Sequence, residues 1–392
     1  DLEHNIQTLC FEMSSNGIAF NKDKAQTLYS KFCQRRTELE NELQIVFPPW
    51  TVSTPFIPKV NNKSKGYVKG VPTAKVKEIV FNPGSRDHIT NRLITTRGWK
   101  PKSFTPDGKP KMDEEILNEL KYPEAKLLSE YFMIQKRIGM LAEGKQAWLK
   151  QEKNGRIHGS INPNGAVTGR ATHSNPNLAQ VPAFYTPYGK ECRELFIPTK
   201  SYVMVGADAS GIEARSLGHY IYKYTGGQEY VDLILNGDIH TYNQKNLGLK
   251  SRALAKTILY AVLYGASSRR VMEILDCSMH EAKEVLEKFY KVLPFLQEIK
   301  EDIYHKVESK GYLIAIDKRI LTIRSQHSAL NALNQSCSAI IMKKALIILW
   351  DKLKDKDAFV VANIHDEFQI EAKPEIADEV GKLAVDSIVE AG

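Results

Sequence analysis

The chain has 392 residues, 42% of them hydrophobic, enough to bury a large core and to form two or three subdomains. Lys and Arg outnumber Asp and Glu by 54 to 46, so the net charge of +8 permits a polyanionic partner without requiring one. Five cysteines, Cys10, Cys33, Cys192, Cys277 and Cys337, form no CxxC pair, which argues against a disulfide framework or a zinc ribbon and suits a reducing cytoplasm.

No uninterrupted apolar run reaches the ~20 residues needed to span a bilayer, and Asp1-Leu-Glu-His has no signal-peptide design, so no membrane partner is expected. The chain begins without Met and ends inside an expected helix, as a piece of a longer polypeptide would.

Residues 4–46 read as an amphipathic helical arm, with Tyr29, Phe32, Cys33, Leu39 and Leu43 at helical spacing. From Leu43 to Lys77 there is no acidic residue. Lys59, Lys63, Lys65, Lys69, Lys75 and Lys77 alternate there with Pro, Gly, Asn and Ser, which reads as an exposed basic loop. Its charge suits a phosphate backbone as well as it suits a solvated linker.

Arg86 to Leu149 is again largely helical, broken around Trp99-Lys-Pro and Pro106-Asp-Gly-Lys-Pro110. Gly139-Met-Leu-Ala-Glu-Gly144-Lys145-Gln146 nearly matches a phosphate-binding loop. Gln146 stands where that motif needs a hydroxyl, and the preceding Tyr131 to Met140 reads as helix where it needs a strand. An ATPase is therefore not expected.

Ile157 to Pro182 is rich in Gly, Asn, Ser and Thr, and Tyr202 to Ala207 suits a buried strand ending at Asp208. Ile212 to about Lys300 is mostly helical, and Ala339 to Leu353 is an apolar core helix. Ala358–Ile364, His365-Asp366 and Glu367–Glu371 read as strand, tight turn, strand.

Three blocks in the second half carry chemistry: Val205-Gly-Ala-Asp208-Ala-Ser-Gly-Ile-Glu213-Ala-Arg215, Arg252-Ala-Leu-Ala-Lys256-Thr-Ile-Leu-Tyr260-Ala-Val-Leu-Tyr264-Gly265, and Ile364-His365-Asp366-Glu367. Asp208 follows a strand and Asp366 tips a hairpin, so each can project a carboxylate from a rigid element. Two such groups suit a pair of magnesium ions, though an Asp after a strand ordinarily caps a helix. Arg252, Lys256, Tyr260 and Tyr264 are each four apart and share one helix face. The cations can grip a triphosphate and the rings can stack on a base, while Ile258, Leu259, Val262 and Leu263 supply a separate apolar face.

Together these blocks resemble motifs A, B and C of the DNA polymerase I family, also called family A. His158 to His173, Phe81 to Ile89 and Asn236 to Thr241 look closest to the phage replicative polymerases that recruit thioredoxin. The resemblance implies an α+β right-hand fold with a helical thumb, antiparallel-sheet palm and helical fingers. It implies a palm-proximal helix at 1–20, a thumb at 21–155 with a short basic tip loop at 48–79, and palm at 156–217. Fingers follow at 218–306 and palm again at 307–392, ending before the family's final palm segment.

The implied activity is template-directed addition of deoxynucleotides to a primer 3′ end by two-metal nucleotidyl transfer in phage-like replication. Asp208 and Asp366 match the metal-binding aspartates, with the Ala209 carbonyl as a further ligand of two Mg2+ ions and Glu367 as an acidic neighbour. Glu213 matches the group that blocks a ribose 2′ hydroxyl. His240, Arg252 and Lys256 match triphosphate contacts, and Tyr260 the ring on the incoming sugar and base. Tyr264 matches the ring that stacks in the template position, and Arg170, Gln335 and His365 match groups holding primer-template DNA.

The expected partners are primer-template DNA and dNTPs, bound by a monomer. A processivity factor is compatible with the family, but the short 48–79 segment argues against thioredoxin dependence. No exonuclease domain is expected within this sequence, and Asp1-Leu-Glu3, which spells a proofreading DxE, reads as coincidence. A single-subunit RNA polymerase shares both aspartates, and Glu213 argues against it. A catalytically silent primer-template clamp is the reading from another class, and intact Asp208, Asp366, Arg252 and Lys256 argue against that.

Overall fold

Strand Val203–Asp208 and the hairpin Ala358–Ile364 and Glu367–Ala372 form a three-stranded antiparallel sheet in the computed structural model, which describes residues 2–392. Glu367–Ala372 is the central strand, with Phe368 opposite Ala207 and Ile370 opposite Val205. Alternation puts Phe368 and Ile370 on one face, and both are fully buried. Helices Leu2–Asn16, Ala329–Leu353 and Ala377–Ala391 contribute Ile6, Met13, Met342, Leu346, Leu349, Val380 and Ala384 to the same core. Each large side chain so buried contributes roughly 1.5–3 kcal/mol.

Two compact units divide the chain. One comprises the residues up to Phe20 with Lys153–Gly392, and the other Asn21–Glu152. Besides the sheet, the first unit holds a helical cluster built by Ile212–Ile221, Gly227–Asn236, Ile239–Leu247, Arg252–Leu263, Met279–Val292 and Pro294–Lys310. Leu217, Ile221, Ile258, Leu259, Val262, Phe289, Phe295 and Leu296 are its centre. The expected helical stretch from Ile212 to about Lys300 is thus present, as are both strands of the 358–371 hairpin.

In the second unit, helix Lys22–Val46 packs on helix Pro123–Ile138 through Phe32, Leu39, Leu43, Leu128 and Ile134, all fully buried. Arg35 donates a fork to Glu130, at 2.7 and 2.9 Å. The near-match to a phosphate loop is a π-helical turn, Gly139–Glu143, continuing a helix. That geometry removes the strand the motif requires.

Three expectations are corrected. The helical arm at 4–46 is interrupted by Gly17 and the strand Ile18–Phe20. Gly17 has φ of 62°, and a Cβ there would lie 2.7 Å from the Ile157 carbonyl, so this close approach decides the break. The basic segment is not a loop throughout: Trp50–Phe56 pairs with Thr73–Ile79 over seven residue pairs. Its Pro and Gly content marks the tip, and the alternating Thr, Val, Lys and Ile of the flanks form the strands. Finally, Gln326–Leu353 is long and apolar enough to cross a membrane, yet its most apolar stretch is mostly buried within the fold, as in a core helix. Asp1 of the DxE triplet lies outside the described residues, and Glu3 is paired with Lys343.

Candidate active site

The strand pairing sets the geometry. Asp208 stands directly opposite Glu367, and the Ala209 amide donates to the Asp366 carbonyl at 2.8 Å. Asp208 and Asp366 are thereby fixed side by side by backbone bonds. Asp208 caps no helix: the following helix, Ile212–Ile221, starts after Gly211, whose φ of 65° makes the turn. Asp366 follows His365 in a two-residue hairpin turn, and His365 has φ of 58°. Such turns need positive φ at that position and usually take Asn or Gly, so a histidine there carries strain of the kind found at functional sites.

Partial burial, then the charge of Asp366, raise the Asp208 carboxyl above its ordinary value. Two carboxylates that repel each other are ready for a cation. The Ala209 carbonyl accepts from the Ile212 amide at 3.1 Å, which leaves its second lone pair. The donor set is all oxygen, as hard Mg2+ prefers. Among the described residues no group of three or more His, Cys, Asp or Glu side chains could hold a metal, so these two carboxylates need further oxygens from substrate or water.

Glu213, in the first turn of Ile212–Ile221, is a hub. Arg170 Nη2 donates to its Oε1 at 2.7 Å and Tyr264 Oη to its Oε2 at 2.6 Å. The buried Asn334 Nδ2 donates to its backbone carbonyl at 3.0 Å. Burial and the Glu213 contact drive the Tyr264 phenol well above its ordinary value, so it stays a donor. Desolvation, with Arg170 next, lowers the His365 imidazole and favours its neutral form. Gln335, adjacent to Asn334, is half-buried and makes no side-chain hydrogen bond among the described residues.

Helix Arg252–Leu263 carries the stripe. Ala255, Ile258, Leu259, Val262 and Leu263 are buried, while Arg252 and Lys256 are exposed. Tyr264 caps the helix and is 45% exposed. The rings of His240 and Tyr260, and of Tyr260 and Tyr264, lie with centroids 6.2 Å apart. Desolvation and the charges of Arg252 and Lys256 lower the His240 imidazole, and burial, then the charges of Glu213 and Asp366, raise the Tyr260 phenol. The row of rings thus runs from His240 through Tyr260 to Tyr264, which is bonded to Glu213.

Sequence reasoning missed three participants. Asp238 caps helix Ile239–Leu247 and accepts Arg252 Nε at 2.7 Å and Nη2 at 3.2 Å. Its place two residues before His240 was the available signal. Asn334 and the buried Ser216–Ser338 contact, at 3.0 Å, had none, since polar residues in an apolar helix look like interruptions.

This is the α+β right-hand polymerase fold: the POL domain of Pol1 from M. smegmatis, solved with DNA primer-template and dNTP, superposes with a TM-score of 0.80. The superposition covers 100% of this chain and 67% of that one at 20% identity, a likeness of fold. A sequence model of DNA polymerase family A matches residues 61–391, and the chain belongs to that family. The DNA-directed DNA polymerases of Escherichia phage T7 and Enterobacteria phage T3 are 35% and 36% identical to it over 467 aligned positions. Each alignment covers 100% of this chain and 66% of the phage protein, so the chain spans just under two thirds of their length. The thermostable DNA polymerase I of Thermus aquaticus is 27% identical, covering 78% of this chain and 39% of that protein.

Proposed function

We propose that this chain is the polymerase portion of a template-directed DNA polymerase that adds deoxynucleotides to a primer 3′ end in phage-type replication. The observation that carries the reading is the juxtaposition of Asp208 and Asp366 by strand register, together with the bond from Tyr264, at the end of helix Arg252–Leu263, to Glu213 five residues beyond Asp208. We assign residues 21–155 to the thumb, 156–217 and 307–392 to the palm, and 218–306 to the fingers.

Asp208, Asp366 and the Ala209 carbonyl would hold Mg2+ ions. When bound, these supply Lewis acidity at the primer hydroxyl and at the departing pyrophosphate. The chain's own groups do the rest. His240, Arg252 and Lys256 neutralise the triphosphate, and the lowered His240 pKa leaves a neutral ring able to donate one hydrogen bond. Arg252 keeps three N–H donors for the triphosphate beyond the two that Asp238 accepts. Tyr260 offers a half-buried ring for the sugar and base. Glu213, fixed by Arg170, Tyr264 and Asn334, supplies a rigid wall where a 2′ hydroxyl would lie, the basis of sugar selection. Arg170, Gln335 and His365 hold the primer-template, and the protein acts as a monomer in a reducing cytoplasm, where its five free cysteines persist.

Primer extension by Asp208→Asn and Asp366→Asn tests the proposal. Each variant loses extension by at least about 10³-fold, the order expected when a metal-held transition state loses a ligand, while duplex binding stays within about threefold. Wild-type-like extension by either variant overturns the reading.

A further inference from the structure

Arg170 sits near the end of the loop that joins strands Ser160–Asn162 and Thr172–Ser174. Against that loop lie four charges with no part in the chemistry described above. Glu3 is in the first turn of helix Leu2–Asn16, Asp317 and Arg319 lie between strands Tyr312–Ile314 and Ile320–Thr322, and Lys343 is on the core helix Ala329–Leu353. Two carboxylates and two cations balance. Arg319 bridges Glu3 and Asp317, and the buried Lys343 donates to both oxygens of Glu3. A buried ion pair seldom repays its own desolvation in stability, so the geometry that such a cluster imposes is the better guide to its use.

The cluster reaches the loop at two points. Lys343 Nζ donates to Asn164 Oδ1 at 2.9 Å, and Arg319 Nη1 donates to the same oxygen at 3.4 Å. Further along, Arg319 packs on Gly169, where φ is 77° and a Cβ would lie 2.7 Å from Arg319 Nη1. Between these points the backbone closes on itself: the Gly169 amide donates to the Ala166 carbonyl at 2.9 Å, and the Ala166 amide to the Arg170 carbonyl at 3.2 Å. Arg170 is the next residue, and its Nη2 meets Glu213 Oε1 at 2.7 Å. Lys343, Arg170 and His365 line one cavity of about 20 Å³, so the cluster borders the groups assigned to the primer-template.

We infer that Glu3, Arg319 and Lys343, acting through Asn164 and Gly169, are positioning residues for Arg170 and, through it, for Glu213. The two cations hold the loop at both points, so the Arg170 guanidinium meets Glu213 in one place and the wall that Glu213 presents to the sugar keeps its position. The inference rests on the roles assigned above to Arg170 and Glu213, and it extends the determinants of sugar selection to the first turn of helix Leu2–Asn16.

The test uses Asn164→Ala, which removes the shared acceptor at an exposed position and leaves the Lys343–Glu3 pair intact. Two quantities are measured: hydrogen exchange at the Ala166 and Gly169 amides, which needs no substrate, and the ratio of ribonucleotide to deoxynucleotide incorporation in single-turnover extension. Loss of hydrogen bonds of ordinary strength raises both by about 3- to 10-fold. The Tm stays within about 1 °C of wild type, as for a surface change worth a few tenths of a kcal/mol. Asn164→Asp, which keeps an acceptor oxygen for both cations, behaves as wild type. In an Arg170→Ala background Asn164→Ala changes the ratio by less than about twofold, because the route runs through Arg170.

Unchanged exchange in Asn164→Ala overturns the inference, as does an equal rise in Asn164→Asp or a full shift of the ratio on top of Arg170→Ala. An unchanged ratio in Asn164→Ala overturns it too when Arg170→Ala alone shifts that ratio. If Arg170→Ala and Glu213→Ala both leave the ratio at its wild-type value, the site assignment has failed instead, and faster exchange in Asn164→Ala alone upholds the hold on the loop.

Discussion

Lys343→Met should cost the first unit more than any surface substitution of a lysine, and the size follows from its surroundings. Lys343 is 4% exposed on the core helix Ala329–Leu353. All three ammonium protons are used: Nζ donates to Glu3 Oε1 at 2.9 Å, Glu3 Oε2 at 2.8 Å and Asn164 Oδ1 at 2.9 Å. Breaking a fully buried pair costs about 3–5 kcal/mol. Glu3 is 26% exposed and also paired with Arg319, so part of its charge stays compensated and about 2–3 kcal/mol is the expected loss. At roughly 2–4 °C per kcal/mol for a unit of this size, the Tm falls by about 4–12 °C. Differential scanning calorimetry reads it directly.

The same pair fixes a pH dependence. Burial alone would raise the Glu3 carboxyl, and Lys343 and Arg319 together bring it below its ordinary value. A carboxylate lowered by folding contributes stability that is present above the unfolded pKa of about 4.3 and is lost as pH falls through the folded one. The gap between wild type and Lys343→Met therefore narrows in acid. Glu3→Gln combined with Lys343→Met should recover about half of the loss, since no carboxylate is left short of its partner. A Tm shift under about 1 °C for Lys343→Met, or a gap that widens in acid, would falsify this account.

Gly265 has φ of 81°, and a Cβ there would lie 2.5 Å from the His327 carbonyl oxygen, so Gly265→Ala should destabilise by at least about 2 kcal/mol and lower kcat by displacing Tyr264. Thermal melts with parallel extension rates check it. Titrating Mg2+ should raise the wild-type Tm, by about 2.7 kcal/mol of stabilisation at 100 times Kd, and leave an Asp208→Asn, Asp366→Asn double variant unmoved. Because Asp208 holds its proton more tightly than usual, that Mg2+ affinity should weaken as pH falls through its raised pKa, measurable by calorimetric titration. Tyr260→Phe should increase discrimination against dideoxynucleotides, and Glu213→Ala should relax exclusion of ribonucleotides; unchanged incorporation ratios in single-turnover assays would count against both roles.

Much of the fold and of the candidate site could be read from periodicity. The strand ending at Asp208, the hairpin around Asp366 and the four-residue stripe on Arg252–Leu263 are local patterns, and local patterns survive in sequence. What could not be read is pairing over distance. The 4–46 arm looked continuous because the contact that breaks it, Gly17 against Ile157, is 140 residues away in the chain. The ribbon at 50–79 was obscured by Pro55 and by a glycine-rich tip, since one strand makes sense only beside its partner. Asp238 and Asn334 acquire meaning only from Arg252 and Glu213, which lie on other helices.

The bond from the Ala209 amide to the Asp366 carbonyl has a bearing on how this site can vary. Main-chain atoms, present whatever the side chain, set the spacing of the two acids. A one-residue insertion in Val203–Asp208 undoes that spacing, turning every side chain beyond it to the other face and taking Asp208 out of reach. The arrangement tolerates replacement and is intolerant of changes in length.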